Sequence, residues 1–310
     1  MGKKMVKKFI LLITLIFIIT PESVRSRDKI VAVILATNLQ RYKLAADSFE
    51  KSFKELNRGV EVQFLFSTPN PDPASWANAI KRAEGYDVDA IIAFGAPIVN
   101  AAIKENCSVP ILFADVFEKE LVENVKVVKL GGVYNNIPLG TLVKHISTIK
   151  KLDVLYVYYN PLEIESERQA KKLKEICQLQ GAQCEAIEIK SVAKIVGEKL
   201  DPDSAIFLTS SVLLETGVAR IVAFANNHNV PVIGLTDTVT EKGGVLSISI
   251  NPQEQGVMLA KYATDFFKTN KLPENRQVVK VDFVVNLDAA KKLNLNIPFS
   301  VLNSATKVIK

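Results

Sequence analysis

"LYVYYNPLEIES", Leu155 to Ser166, has β-branched or aromatic residues at four of its first five positions, then halts at Asn160-Pro161. "AIIAFGAPIVNAA", Ala90 to Ala102, has the same form: an apolar run stops at Gly95-Ala96-Pro97 and goes on with helical spacing. Short, continuously apolar runs are strands buried on both faces, the pattern of a parallel sheet covered by helices. Proline suits the first turn of a helix, where its missing N–H costs nothing, and asparagine is a good N-cap. Asn160, Pro161 and Pro97 therefore predict strand, sharp stop and helix, twice. A third stop of this form is Ser210-Ser211 after "AIFLT".

Outward from these stretches the alternation continues. Strands are expected at 30–36, 60–67, 90–94, 110–114, 154–159, 184–189, 205–209, 230–235 and 245–250. Helices are expected near 41–56, 75–84, 97–105, 139–150, 163–180, 192–199, 212–227 and 254–269. The pattern runs through residues 30–132 and again through 153–250, with the glycine-rich "KLGGVYNNIPLG" (Lys129 to Gly140) between. This is an α/β chain with two doubly wound parallel-sheet lobes. In such sheets ligands sit beyond the carboxyl ends of the strands, so the three stops would aim helix N–H groups into one interlobe cleft. Every α/β protein caps helices after strands; the recurrence in both halves is what favours a cleft.

The first residues stand apart. Lys3, Lys4, Lys7 and Lys8 precede the apolar run "FILLITLIFIIT" (Phe9 to Thr20), which Pro21 ends, and "VRS" (Val24 to Ser26) follows. Twelve apolar residues are too few to span a membrane, which takes about 20, so residues 1–26 read as a signal peptide and the mature chain as exported and soluble. This segment holds five Lys or Arg and one Glu, a net +4, so the formal charge falls from +6 to +2. Net charge then gives no case for nucleic acid or a membrane surface.

Three cysteines remain. Cys177 and Cys184, in "CQLQGAQC", could close a loop between a helix end and the next strand in an oxidising compartment, or all three, with Cys107, could be buried and reduced. Two histidines, His145 within an amphipathic helix and His228 at a helix end, make neither a metal site nor a catalytic set. No G-x-S-x-G or phosphate-loop motif occurs, and "EKGG" (Glu241 to Gly244) reads as a hairpin-like bend. Tyr156, Tyr158 and Tyr159 read as core. No cofactor or metal is expected.

Taken in order, Ala90–Val116, Gly131–Gly140, Tyr156–Gly181, Val230–Ala263 and the tail "VVNLDAAKKLNLNIPFSVLNSATKVI" (Val284 to Ile309) resemble the ABC-transporter substrate-binding proteins of the tryptophan/tyrosine-binding type. The resemblance implies a type I periplasmic-binding fold of two hinged lobes. It implies crossings near Gly131–Tyr134, Ser249–Pro252 and Val279–Phe283. Lobe one would then be 27–132 plus 252–280, and lobe two 133–251 plus 281–310. It also implies a periplasmic or secreted monomer that binds a small-molecule solute, closes over it and docks on an inner-membrane ABC permease. The other reading of this fold is a sensing or envelope module that presents a signal to a membrane receptor.

Candidate ligand-binding residues lie at the stops and crossings. They are Asn38 and Tyr42 after the first strand; Gly95, Ala96 and Pro97; Asp115; Tyr134 and Asn135, with Asn136 beside them; Asn160 and Pro161; Ser210 and Ser211; Asp237; and Asn251. Trp76 either stacks on a ligand ring or packs within lobe one. The family commonly has threonine where Gly95 stands, and acids near Ser210-Ser211 and at Asn251. Losing these acids points away from an ammonium and toward a ligand with an anionic or carbonyl-rich end. Asp115, Glu118 and Asp237 are the acids that could take the missing places.

Overall fold

The computed structural model describes residues 29–310 except 60, 124, 198 and 199; the expected signal peptide lies outside the described residues. The first half alternates regularly: β1 (Lys29–Leu35), α1 (Gln40–Leu56), β2 (Val62–Ser67), α2 (Pro73–Gly85), β3 (Ala90–Phe94), α3 (Ala96–Lys104), β4 (Ile111–Val116), α4 (Lys119–Val122) and β5 (Leu130–Asn135). The second half repeats it: α5 (Leu139–Ile149), β6 (Val154–Tyr159), α6 (Ile164–Leu179), β7 (Cys184–Glu188), a 3-10 turn (Val192–Gly197), β8 (Ser204–Leu208), α7 (Val212–Thr216), α8 (Val218–Asn227), β9 (Val232–Gly234), α9 (Asp237–Glu241) and β10 (Leu246–Ser249). The chain ends with α10 (Pro252–Thr269), β11 (Arg276–Val278), β12 (Asp282–Asn286), α11 (Leu287–Lys292), α12 (Phe299–Ser304) and β13 (Lys307–Ile309).

The strands form two sheets, in the orders β11-β5-β4-β3-β1-β2 and β13-β12-β10-β9-β8-β6-β7. Every pair is parallel except β10 with β12. The α/β class and the two parallel-sheet lobes expected from the alternation are present. β3, β4 and β8 are buried at every residue, as continuous apolar runs require. In the first lobe α10 lies against α1, and the approach is close: a Cβ on Gly256 would fall 2.1 Å from the Ala45 carbonyl oxygen, so only glycine fits this crossing.

The chain passes between the sheets three times: after β5, between β10 and α10, and between β11 and β12. The first passage lies beyond the expected Gly131–Tyr134. β5 stays paired with β4 as far as Tyr134 and with β11 as far as Asn135. Gly132 makes this possible, since a Cβ there would sit 2.2 Å from the Phe113 carbonyl oxygen on β4.

Several local expectations change. α2 begins at Pro73, two residues ahead of the expected Ser75, because Asp72 caps it by accepting from the Ser75 N–H. α6 begins at Ile164, so neither Asn160 nor Pro161 belongs to its first turn. The Asn160 side chain instead accepts from the Leu162 N–H at 3.1 Å, a turn that competes with helix capping. "EKGG" ends helix α9, which connects two parallel strands, so it is not a hairpin. Cys177 and Cys184 are bonded, Cα to Cα 6.0 Å, tying the end of α6 to the start of β7, while Cys107 is free and buried.

Candidate functional site

A cavity of about 300 Å³ lies between the lobes. Arg41, Tyr42, Trp76, Ala96, Pro97 and Asn100 line it from the first lobe, and Leu162, Glu163, Ile164, Glu165, Ser210 and Ser211 from the second. Two of the stops read from the sequence, Ala96-Pro97 and Ser210-Ser211, open on this one cavity, and the residues just past the third, Leu162 and Glu163, line it too, joined by the start of α2. Its volume is at the small end of ligand sites, which run about 300–1,000 Å³.

The floor is ionic, and its centre is Arg41. The guanidinium enters from the first turn of α1 and lies 4.3 Å over the Tyr42 ring, with Nη2 donating to the Tyr42 hydroxyl at 2.9 Å. Nη1 pairs with Asp115 of its own lobe. Nε lies 2.8 Å from Glu215 Oε2 across the cleft, a charge contact outside hydrogen-bond alignment. Burial works against the guanidinium charge, but Asp115 and Glu215, with Tyr42 and Glu165, outweigh it and keep Arg41 cationic. Burial drives the Asp115 and Glu215 carboxyls upward, and Arg41 pulls both back.

Glu163 stands at the N-cap of α6 and Glu165 lies in its first turn. Glu163 Oε2 accepts from the Val212 N–H at 2.8 Å, and Oε1 from the Ser211 hydroxyl at 2.7 Å, the Asn160 amide at 2.8 Å and the Leu213 N–H at 3.2 Å. The start of α7 is thus capped by a carboxylate of the protein itself, and Ser211 adds a second cap by accepting from the Leu214 N–H. Glu165 reaches the other lobe, where its Oε1 accepts from the backbone N–H groups of Phe117 and Glu118 at 2.5 and 2.8 Å. Burial, reinforced by nearby Glu118, pushes the Glu165 carboxyl up to about 8 despite those two donors; Asp115 adds to the rise.

The sequence candidates divide as follows. Tyr42, Ala96, Pro97, Ser210 and Ser211 line the cavity. Gly95 caps α3 at φ 102°, and the space a Cβ would take belongs to the Tyr42 hydroxyl, 2.7 Å away, so glycine here accommodates Tyr42. Asp115 and Asn160 lie behind the wall, holding Arg41 and Glu163. Asn135 is buried and donates to Gln255 at 3.3 Å. Tyr134 is buried on β5, Pro161 sits in the turn before α6, and Asn38 is exposed; none of the three lines the cavity. Asp237 is committed to Ser249 and Lys307, and Asn251 caps α10. Glu118 pairs with Lys172 at 2.5 Å. Trp76 packs within lobe one, its indole N–H donating to the Ala36 carbonyl at 2.8 Å, and it is among the residues that line the cavity. His228 bonds the Phe224 carbonyl at the end of α8, and His145 stacks on Phe283.

Arg41, Glu163, Glu165 and Glu215 were not among the sequence candidates. Each looks like an ordinary first-turn helix charge, the commonest solvated position. The available signal was that "PLEIE" and "SSVLLE" place acids just past two strand ends, where a cleft would bury them. With these acids present, the anionic ligand end expected at the start of α7 meets Glu163 already in that place.

No curated protein matches the chain. Among solved structures, a conserved domain protein from Vibrio cholerae O1 biovar eltor superposes with TM-score 0.82 at 21% identity, covering 91% of this chain and 100% of its own. An ABC domain from Streptococcus pneumonia in complex with L-Trp gives 0.81 at 19% identity, covering 91% and 100%. A ligand-free, open substrate binding protein with adhesive properties from Clostridium difficile gives 0.64 at 18% identity, covering 91% and 99%. The sequence profile of ABC transporter substrate binding proteins matches residues 31–309, nearly the whole described chain. The chain belongs to the family of ABC transporter substrate binding proteins.

Proposed function

We propose that this chain is the extracytoplasmic solute receptor of an ABC importer, which takes one small organic solute into the interlobe cavity and closes over it by hinging at the three passages. Family and fold are those of a binding protein rather than an enzyme. The observation that carries the reading is the cavity itself: about 300 Å³, walled by both lobes, with an aromatic and aliphatic side and an ionic floor. Trp76, Pro97 and Leu162 suit the apolar body of a solute, and Asn100 and Ser210 offer polar groups that fix its orientation. The S. pneumonia relative was solved with L-Trp, which makes aromatic amino acids the first solutes to try. Docking of the closed form on a permease and action as a monomer complete the proposal.

A thermal-shift screen with amino acids, aromatic acids and nucleosides tests it. A solute that binds only the folded chain stabilises it by about 2.7 kcal/mol at 100 times Kd. The reading expects at least one class to raise the melting temperature in a dose-dependent way; a flat response across all of them argues against a solute site in this cavity and favours an envelope role.

A further inference from the structure

The contacts that join the two lobes are made by protein groups on both sides. Arg41 Nε of α1 lies 2.8 Å from Glu215 Oε2 of α7. Glu165 accepts the N–H groups of Phe117 and Glu118. Lys172, two turns further along α6, meets Glu118 Oε2 at 2.5 Å and Glu120 Oε2 at 3.1 Å. Among these Arg41 is prepared in advance. Its own lobe supplies Asp115 and the Tyr42 hydroxyl, which fix the guanidinium on the first lobe and leave Nε turned toward the second. The side chains of Arg41 and Glu215 are only 13% and 5% exposed, so the pair is desolvated where the lobes meet.

Separation of the lobes returns Glu215 to water, while Arg41 keeps Asp115. Removal of Arg41 affects the two forms unequally. In the closed form it leaves the Glu215 carboxylate buried without its counter-ion, a costly arrangement, whereas in the open form water solvates Glu215. The contact therefore biases the equilibrium between forms rather than the fold of either lobe.

We propose that Arg41 is an interlobe latch: bound to Asp115 in its own lobe and reaching Glu215 in the other, it draws the cleft closed, so the closed form is populated before solute arrives and solute completes closure instead of initiating it. This rests on the reading of the cleft as the solute site. A solute then needs to contribute less differential binding to close the remaining population.

Small-angle scattering on the full mature chain, refolded from denaturant to strip any carried solute and measured with none added, tests the latch. The wild type should scatter as the compact form. Glu215→Gln and Arg41→Ala should each lower the closed-to-open ratio by about tenfold or more and enlarge the radius of gyration. Glu215→Gln keeps the side chain's size, so it carries the test if the alanine variant does not fold. A wild type already as extended as both variants overturns the proposal, as do variants that remain as compact as the wild type. Solute binding is read separately by calorimetry. An open wild type that still binds solute removes the latch alone, and a working latch without any solute removes the solute reading alone.

Discussion

Alanine at Gly95 should destabilise the protein by an amount that can be worked out from two neighbours. Gly95 has φ 102° and ψ 144°, a region that is essentially glycine's alone. Holding alanine there costs about 1–3 kcal/mol. The new Cβ would also lie 2.7 Å from the Tyr42 hydroxyl and 3.0 Å from Cε1 and Cζ of its ring. Tyr42 is 1% exposed and pinned by Arg41, so it has little room to give. Overpacking of that kind costs about 1–3 kcal/mol, and the sum is about 2–6 kcal/mol. Equilibrium urea unfolding of the wild type and Gly95→Ala measures the total. The same substitution in a Tyr42→Phe background removes the 2.7 Å contact and should recover part of the loss, leaving the backbone strain and the ring contacts at 3.0 Å. A Gly95→Ala variant within about 0.5 kcal/mol of wild type, the range of a neutral surface change, would refute the reasoning. So would a penalty untouched by Tyr42→Phe.

Glu165 gives a pH dependence. Its carboxyl stands at about 8 in the folded chain against an ordinary 4.5, so the folded state retains a proton that the unfolded state releases. Stability from this group is fully present below 4.5 and is lost as pH rises toward 8, with a slope of up to about 1.4 kcal/mol per pH unit. Melting temperatures from pH 5 to 9 should fall more steeply for the wild type than for Glu165→Gln, and equal slopes would contradict the assignment. Glu163→Ala leaves the Val212 and Leu213 amides without their carboxylate and should cost about 2–4 kcal/mol in urea unfolding, with Glu163→Gln costing less than half of that. Replacement of Cys177 and Cys184 by serine opens a short loop and should cost about 2–3 kcal/mol; an unchanged unfolding midpoint would show that the bond does not form in solution.

The fold was legible because its signals are local. A run such as "AIIAF" is apolar at every position and reads as a doubly buried strand without knowledge of its neighbours. The short elements were less visible. β11 and β13 have three residues each, and β5 carries two glycines after its first residue that ordinarily argue against a strand; their pairing comes from the sheet beside them. The cleft was half legible. Strand ends pointed to Ser210, Ser211 and Pro97, but the floor depends on partners far apart in the chain. Arg41 and Asp115 are separated by 74 positions, Glu163 and Val212 by 49. No spacing rule links such pairs, and each charge alone resembles a solvated helix terminus. Gly95 was visible only as a departure from threonine; its cause, a tyrosine on another helix, was not.

Calorimetric titration of the cavity tests the central claim most directly. The first solute that raises the melting temperature should be titrated into the wild type, Trp76→Ala and Ala77→Phe, the last chosen to fill the cavity that Ala77 lines. The account predicts one solute per chain and an affinity at least tenfold weaker in both variants, about 1.4 kcal/mol each. Wild-type affinity in both would place the binding site elsewhere and contradict the account.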